Sequence, residues 1–274
     1  MTILGRHIKI IPNIFAERGK GSGCLQPRPV IVKFTDQGYI ANLRRHGENS
    51  LILTVLTKSH GKVTGYVKNA LTKKNLGIFQ LGNFIEISAY ARVDDNMLSL
   101  RVELLAPTAV NFMADNAKLQ ALSSLCALSN ICMPELQDLE RFYYYIDSFF
   151  NLIDEDNWLV HYSFFEFYLL EYLGISLDLT ECSATGSTEN LLYVSPKTGK
   201  AVCAEAGEPY KDRLYKYPRY ILECNYRPEA EELADLLSMT EFFLYKNFFA
   251  AHGLKFPESR VNLSQIIRCN SPKS

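Results

Sequence analysis

Leu51-Ile52-Leu53-Thr54-Val55-Leu56-Thr57 is followed by the turn residues Ser59-His60-Gly61-Lys62 and then by Val63 to Val67. The first run is rich in strand formers and long enough to be buried. The turn cluster sends the chain back as a returning strand. Upstream, Val32 to Leu43 is a further strand candidate. Downstream, Gly82-Asn83 precedes Phe84-Ile85-Glu86-Ile87-Ser88-Ala89-Tyr90, and the turn Asp94-Asp95-Asn96 precedes a last strand, Leu98 to Leu105. Five short strands therefore fill this part of the chain, with no helix between them long enough for a parallel crossover.

Closing such a set on itself hides its edge strands. A five-stranded oligonucleotide-binding (OB) barrel fits the count, and a fragment of a sandwich fits it nearly as well. After Pro107 the period changes. Asn111 to Cys132 carries Leu119, Leu122, Leu125 and Leu128 near helical spacing, and Leu136 to Ile153 is a second helix dense in aromatics. Asp154-Glu155-Asp156-Asn157 reads as a turn with a side chain to cap the next helix, Trp158 to Leu173, which Gly174 stops. Residues 175–226 are turn-rich and irregular. Arg227-Pro228-Glu229 opens a fourth helix, with proline in its first turn, running to about His252 and Gly253. The expected class is α+β. The expected domains are a flexible N-terminal extension (1–31), an OB-fold nucleic-acid-binding domain (32–107), a helical domain (108–260) with a loop insertion at about 175–226, and a C-terminal tail (261–274).

Length agrees with two domains: the chain has 274 residues, against roughly 100–200 per domain. A composition 47% hydrophobic and 22% charged excludes a disordered or collagen-like chain. No apolar run approaches the ~20 residues of a membrane span, and Lys9 and Pro12 interrupt the only apolar stretch near the start. The seven cysteines are scattered and odd in number, which suits free thiols in a reducing compartment. The net charge of −1 conceals a division: residues 1–110 carry 15 Lys and Arg against 7 Asp and Glu, and residues 111–274 carry 14 against 23. A basic half is what a polyanion attracts.

Within that half, Arg44, Arg45, Lys58, Lys62, Lys68, Lys73 and Lys74 stand against one acid, Glu48, with Tyr39, Tyr66 and Phe79 interleaved. Cations neutralise phosphates and aromatic faces stack unpaired bases, so the pattern suits a sequence-independent single-strand groove. Other constellations are weaker. Gly19-Lys20-Gly21-Ser22-Gly23 has the wrong spacing for a phosphate loop. Cys182 and Cys203 could each head a C-x2-C pair, but Thr185 and Ala206 occupy the partner positions, so no metal site is complete. His46, His60, His161 and His252 form no catalytic motif, and Glu166, inside an apolar run, reads as a structural ion pair or cap, with a perturbed carboxylate as the alternative. The aromatic stripe from Phe142 to Tyr168 is expected to be bundle core, with a peptide groove as the alternative.

Several stretches, in order, resemble the bacterial RecO family of DNA repair and recombination mediators. They are Phe34-Thr35-Asp36-Gln37-Gly38-Tyr39-Ile40, Arg44-Arg45-His46-Gly47-Glu48-Asn49-Ser50-Leu51, and Thr57-Lys58-Ser59-His60-Gly61-Lys62. Leu170-Glu171-Tyr172-Leu173-Gly174 and Tyr193-Val194-Ser195-Pro196-Lys197-Thr198-Gly199-Lys200-Ala201-Val202 continue the series. The resemblance runs from about Val32 to Arg260. It implies an OB domain, a helical domain and a zinc-finger-like loop. It further implies a non-enzymatic, cytoplasmic protein without cofactor. Such a protein binds single- and double-stranded DNA, anneals complementary strands and assists recombinase loading onto strands coated by single-strand-binding protein. The implied partners are RecR and the acidic C-terminal tail of single-strand-binding protein. Carried over by position, the DNA surface includes Lys62, Lys68, Lys73 and Lys74, with Arg44, Arg45 and Lys58 beside them. Three departures stand out. Residues 1–31 precede the usual start, with Val32 a possible initiator. Thr185 and Ala206 break both cysteine pairs. Phe164 stands where relatives carry an arginine. The alternative to a DNA mediator is a protein-interaction scaffold using the aromatic helices as a peptide groove.

Overall fold

The computed structural model describes residues 31–73, 75, 77–92, 97–223 and 226–270. The expected extension, apart from Ile31, and the turn at 94–96 lie outside the described residues. Strands β1 (Ile31–His46), β2 (Ser50–Thr57), β3 (Gly61–Val67), β4 (Phe84–Arg92) and β5 (Leu98–Ala106) close into a barrel in the order β1-β2-β3-β5-β4. Closure excludes the sandwich and gives the OB arrangement. The first strand is long because it serves two neighbours: Ile31 to Tyr39 pairs with β4, and Gly38 to His46 pairs with β2. A bulge between Ile40 and Asn42 bends it around the barrel. The last seam is a short parallel contact, Gly65 with Leu98 and Tyr66 with Ser99. A Cβ on Gly65 would stand 2.7 Å from the Leu98 carbonyl oxygen, so glycine is what lets these strands meet. Ile40, Leu53, Val55, Val63, Ile85, Ile87 and Leu100 fill the interior.

Five longer helices follow: α1 (Asn116–Cys132), α2 (Glu140–Asn151), α3 (Trp158–Tyr172), α4 (Ala230–Leu244) and α5 (Glu258–Asn270). A 3-10 turn at Thr108–Phe112 leads into α1, and the Asp115 carboxylate caps it by accepting from the N–H groups of Ala117 and Lys118. Phe142, Ile146 and Phe149 of α2 pack with Tyr162, Phe165 and Leu169 of α3, so most of the aromatic stripe is core. The barrel joins this core through its outer wall. Tyr39, Ala41 and Leu56 belong to the helical cluster rather than to the barrel interior. The Tyr39 ring stacks on Phe150 with centroids 3.8 Å apart, and its hydroxyl donates to Asp147 at 2.9 Å. Burial and the Asp147 carboxylate push the Tyr39 phenol far above its ordinary range.

Several expectations need correcting. The second helix starts at Glu140, not Leu136, because residues 133–139 run along the barrel. Leu136 N–H donates to the Lys62 carbonyl at 2.8 Å, and Lys62 and Glu135 bridge. Gly61, at φ +67°, makes this approach possible: a Cβ there would lie 1.6 Å from the Gln137 carbonyl oxygen. Asn157 precedes α3 without a side-chain cap. Pro228 lies outside α4, whose N-cap is Glu229 in a reciprocal capping box with Glu232. That helix passes into a π-helical turn at Tyr245–Phe249 before Gly253 reverses the chain. The irregular loop contains a small sheet, β6 (Leu191–Val194), β7 (Ala201–Cys203) and β8 (Tyr215–Lys216), in the order β7-β6-β8. Residues 261–270, expected as tail, belong to α5. Leu263 and Ile267, one helical turn apart, are buried in the helical cluster as α5 packs along α1. Among the described residues, no helix is long and apolar enough to cross a membrane.

Candidate nucleic-acid interface

The end of the β1–β2 hairpin sets the geometry. Arg44 pairs with Ile52 and Arg45 with Leu51, which in turn pairs with Val67. Arg45, Leu51 and Val67 thus lie across three adjacent strands, and Lys68 follows at the same end of the barrel. The chain then turns over this end, where Leu71 N–H donates to the Asn49 carbonyl at 3.1 Å, and brings Lys73 after it. Arg44, Arg45, Lys68 and Lys73 are all exposed, and none forms an ion pair with a described residue. His46 is exposed beside them, edge-on to Tyr66 with ring centroids 5.7 Å apart. Tyr66 is half-buried and donates to Ser50 at 2.8 Å.

The other basic residues do not join this rim. Lys74 lies outside the described residues. Lys58 is exposed but sits at the opposite end of β2, about 23 Å from the Leu51 level at ~3.3 Å per residue. That exceeds the ~8 Å screening length in physiological salt, so Lys58 adds little to the field at the rim. Lys62 is a correction to the expected surface. It is only 7% exposed. Its ammonium donates to the Asn130 carbonyl at 2.8 Å and lies 3.6 Å from Glu135, tying the barrel to the end of α1 and the segment after it. Periodicity could not show this, because the partners are some seventy residues away. The basic excess is also divided. Residues 1–30 hold five Lys and Arg against one acid, and residues 31–110 hold ten against six.

Of the three interleaved aromatics, Tyr39 is core at 2% exposure. Phe79 is half-buried in a cleft at the barrel mouth, about 220 Å³ in volume and lined by Leu43, Arg45, Leu51, Ala70, Leu71 and Phe79. The loop carrying Phe79 is anchored by Asn83, which is wholly buried. The Asn83 amide donates to the carbonyls of Gly77 at 3.0 Å and Ile78 at 2.9 Å, and its oxygen accepts from Ala109 N–H at 3.2 Å. Sequence reading missed the cleft. Its apolar residues at strand ends look like ordinary core, and only Gly82-Asn83 marks the loop anchor.

At the far turn, the Asp36 carboxylate accepts from the backbone N–H groups of Ser59 and His60 at 2.9 and 3.0 Å and meets His60 Nδ1 at 2.7 Å. Burial favours the protonated form of Asp36, but the His60 contact and the N–H donors outweigh it and hold the carboxyl below its ordinary value.

Residues 31–108 match the family model for the N-terminal part of recombination protein O, and residues 113–251 match the model for its C-terminal part. The chain belongs to the RecO family. The DNA repair protein RecO of Bartonella quintana is 36% identical over 240 residues, covering 86% of this chain and 97% of the relative. That of Rhodospirillum centenum is 33% identical, covering 84% and 92%. That of Cereibacter sphaeroides is 33% identical, covering 86% and 99%.

Two of the departures noted in the sequence take structural form here. In the zinc-finger-like loop, Cys182 and Cys203 come together, but Thr185 and Ala206 leave the set two thiolates short of a closed zinc site. The residues present do not fit that metal. Instead Cys182 Sγ accepts the Cys203 N–H at 3.2 Å, and the Thr185 hydroxyl lies 3.6 Å from Cys203 Sγ. Burial raises the Cys182 thiol, but the Thr185 hydroxyl and the N–H groups of Cys203, Ala184 and Thr185 prevail and bring it down to about 6. Tyr193 and Val202 pack around the pair. The second feature is Phe164, which packs against Tyr168 and Tyr220 and supplies no charge.

Proposed function

We propose that this RecO-family chain binds DNA through the barrel rim formed by Arg44, Arg45, Lys68 and Lys73, and that it anneals complementary strands and assists recombinase loading in recombinational repair. The observation carrying this reading is the grouping of four exposed cations, none ion-paired with a described residue, at one end of an OB barrel. Two strands meeting at such a rim have part of their phosphate charge neutralised, which lowers their repulsion and lets bases pair. No cofactor or catalytic step is needed. The role of RecR and of the single-strand-binding protein tail as partners, and a place in the cytoplasm at the nucleoid, follow from the family and belong to the same proposal. An acidic tail would find no cation at Phe164, so it would have to be held elsewhere on the chain.

The test is binding of labelled single strands across a salt series, with annealing of coated complementary strands followed in parallel. Binding should weaken with salt by about 0.7 log unit per log unit of salt for each phosphate neutralised. Replacing Arg44, Arg45, Lys68 and Lys73 together by alanine should flatten that slope, whereas Lys58→Ala should leave it nearly unchanged. An unchanged slope in the fourfold variant would remove the rim as the interface. A protein that binds no DNA at low salt would instead favour the scaffold reading. The surface to examine then is the aromatic ladder in which Tyr144, 68% exposed, meets Tyr145, which stacks on Tyr168 with centroids 4.0 Å apart.

A further inference from the structure

We infer that the barrel-mouth cleft is a receptor for one unpaired nucleobase, whose flanking phosphates lie on the basic rim. The inference rests on the reading of that rim as the DNA interface and adds to it a specific occupant. The cleft is built rather than incidental. Leu43 and Leu51 line it from β1 and β2, and Ala70, Leu71 and Phe79 come from the loop that crosses the barrel end. That loop is fixed at both sides, by the Leu71–Asn49 hydrogen bond and by the buried Asn83 amide.

Size and chemistry select the occupant. At about 220 Å³ the cleft falls below the ~300–1,000 Å³ of sites that enclose drug-sized ligands, so it suits a single ring system. Its lining is apolar, with one aromatic ring, Phe79, and one guanidinium, Arg45, at the edge. Ring faces and guanidinium planes both stack on bases without regard to sequence. The exposed cations Arg44, Arg45, Lys68 and Lys73 around its mouth complement phosphates and disfavour a cationic or neutral peptide. A paired base inside a duplex cannot enter, so the cleft distinguishes single from double strands where the rim alone, reading phosphates, does not. Because the cleft lies at the barrel mouth, a held base can leave to meet its complement.

The experiment uses the full chain and two short labelled strands of equal length and charge, one carrying bases and one with abasic sugars throughout. The base-bearing strand should bind about 5–10-fold more tightly at low salt, near the lower end of what one stacked base contributes. A strand with one base among abasic sugars should regain most of that difference. Phe79→Ala should lower the preference while leaving the salt slope unchanged. Phe79→Leu, which keeps most of the volume, serves the same purpose if the alanine variant does not fold. Equal binding of base-bearing and abasic strands by the unaltered protein would overturn the cleft and leave the rim standing. So would folded Phe79 variants that retain the full preference. Failure to bind either strand would remove the rim, and the cleft with it.

Discussion

Arg260 of α5 and Glu166 of α3 form an ion pair in which both side chains are wholly buried. One guanidinium nitrogen donates to Glu166 Oε2 at 2.9 Å, and the same nitrogen donates to the Leu237 carbonyl at 2.7 Å. The carboxylate also accepts from the hydroxyls of Tyr162 at 2.5 Å and Thr240 at 2.6 Å. The pair is therefore satisfied on nearly every side, as a buried pair must be to offset its desolvation.

Removing one partner strands the other. Glu166→Ala or Arg260→Ala should each lower the unfolding free energy by about 3–5 kcal/mol, measured by urea denaturation. The double replacement Glu166→Leu with Arg260→Met should recover much of that loss. A double variant as unstable as the sum of the singles would show that the polar network itself is indispensable.

Lys62 tests the division of labour among the basic residues. Lys62→Met leaves the Asn130 carbonyl without its donor and should reduce stability by about 1–3 kcal/mol. The DNA salt slope should stay as it is, since the ammonium faces the helical part of the chain. A flattened slope at unchanged stability would return Lys62 to the DNA surface.

Asp36 gives the barrel an acid-sensitive turn. Its carboxyl is held below the ordinary value of 3.8, so folding favours the ionised form. The resulting stabilisation is fully present above that value and is lost as the pH falls below it, because the folded state then has to take up the proton. Melting temperatures taken down a pH series should fall more steeply for the native chain than for Asp36→Asn. Parallel curves would assign the acid sensitivity to other groups.

Cys182 should titrate early. Thiolate absorbance in the ultraviolet should rise with a midpoint near about 6 and disappear in Cys182→Ser. Burial holds Cys126 and Cys132 in the opposite direction, Cys132 up to about 12, so they stay silent in that range. Since the folded loop prefers the thiolate, unfolding takes up a proton between about 6 and the ordinary 9.0, and the loop is held more firmly as pH rises across that window. No absorbance change below pH 8 would mean that the N–H groups do not stabilise the sulfur.

What could be read from sequence divides along physical lines. The hairpin at Leu51–Val67 was legible because local strand preference and turn chemistry agree there. The end of β1 was not, since Arg44, Arg45 and His46 carry no strand signature and are held by pairing with β2. The start of α2 was misread for a related reason: Leu136 prefers its hydrogen bond to Lys62 over a first helical turn. Helix α5 was hidden in a polar stretch where only Leu263 and Ile267 mark a face and where Arg260 looks like a surface residue. In the candidate interface, charge located the cations but could not separate Lys68, which pairs with no described residue, from Lys62, which is consumed. Ion pairing and burial depend on tertiary neighbours, and a single sequence does not display them.

The docking of α5 along α1 has a consequence for synthesis on the ribosome. The barrel strands emerge first, but Glu166 lacks its guanidinium partner, and the side of α1 that α5 covers stays open, until residues 258–270 appear. At roughly 5–20 residues per second that interval lasts several seconds. A chain released before α5 therefore carries an inward-facing carboxylate without its guanidinium partner and an α1 left uncovered on the side that α5 takes. Such a product exposes apolar surface of the kind that aggregates, and α5 is the element that covers it.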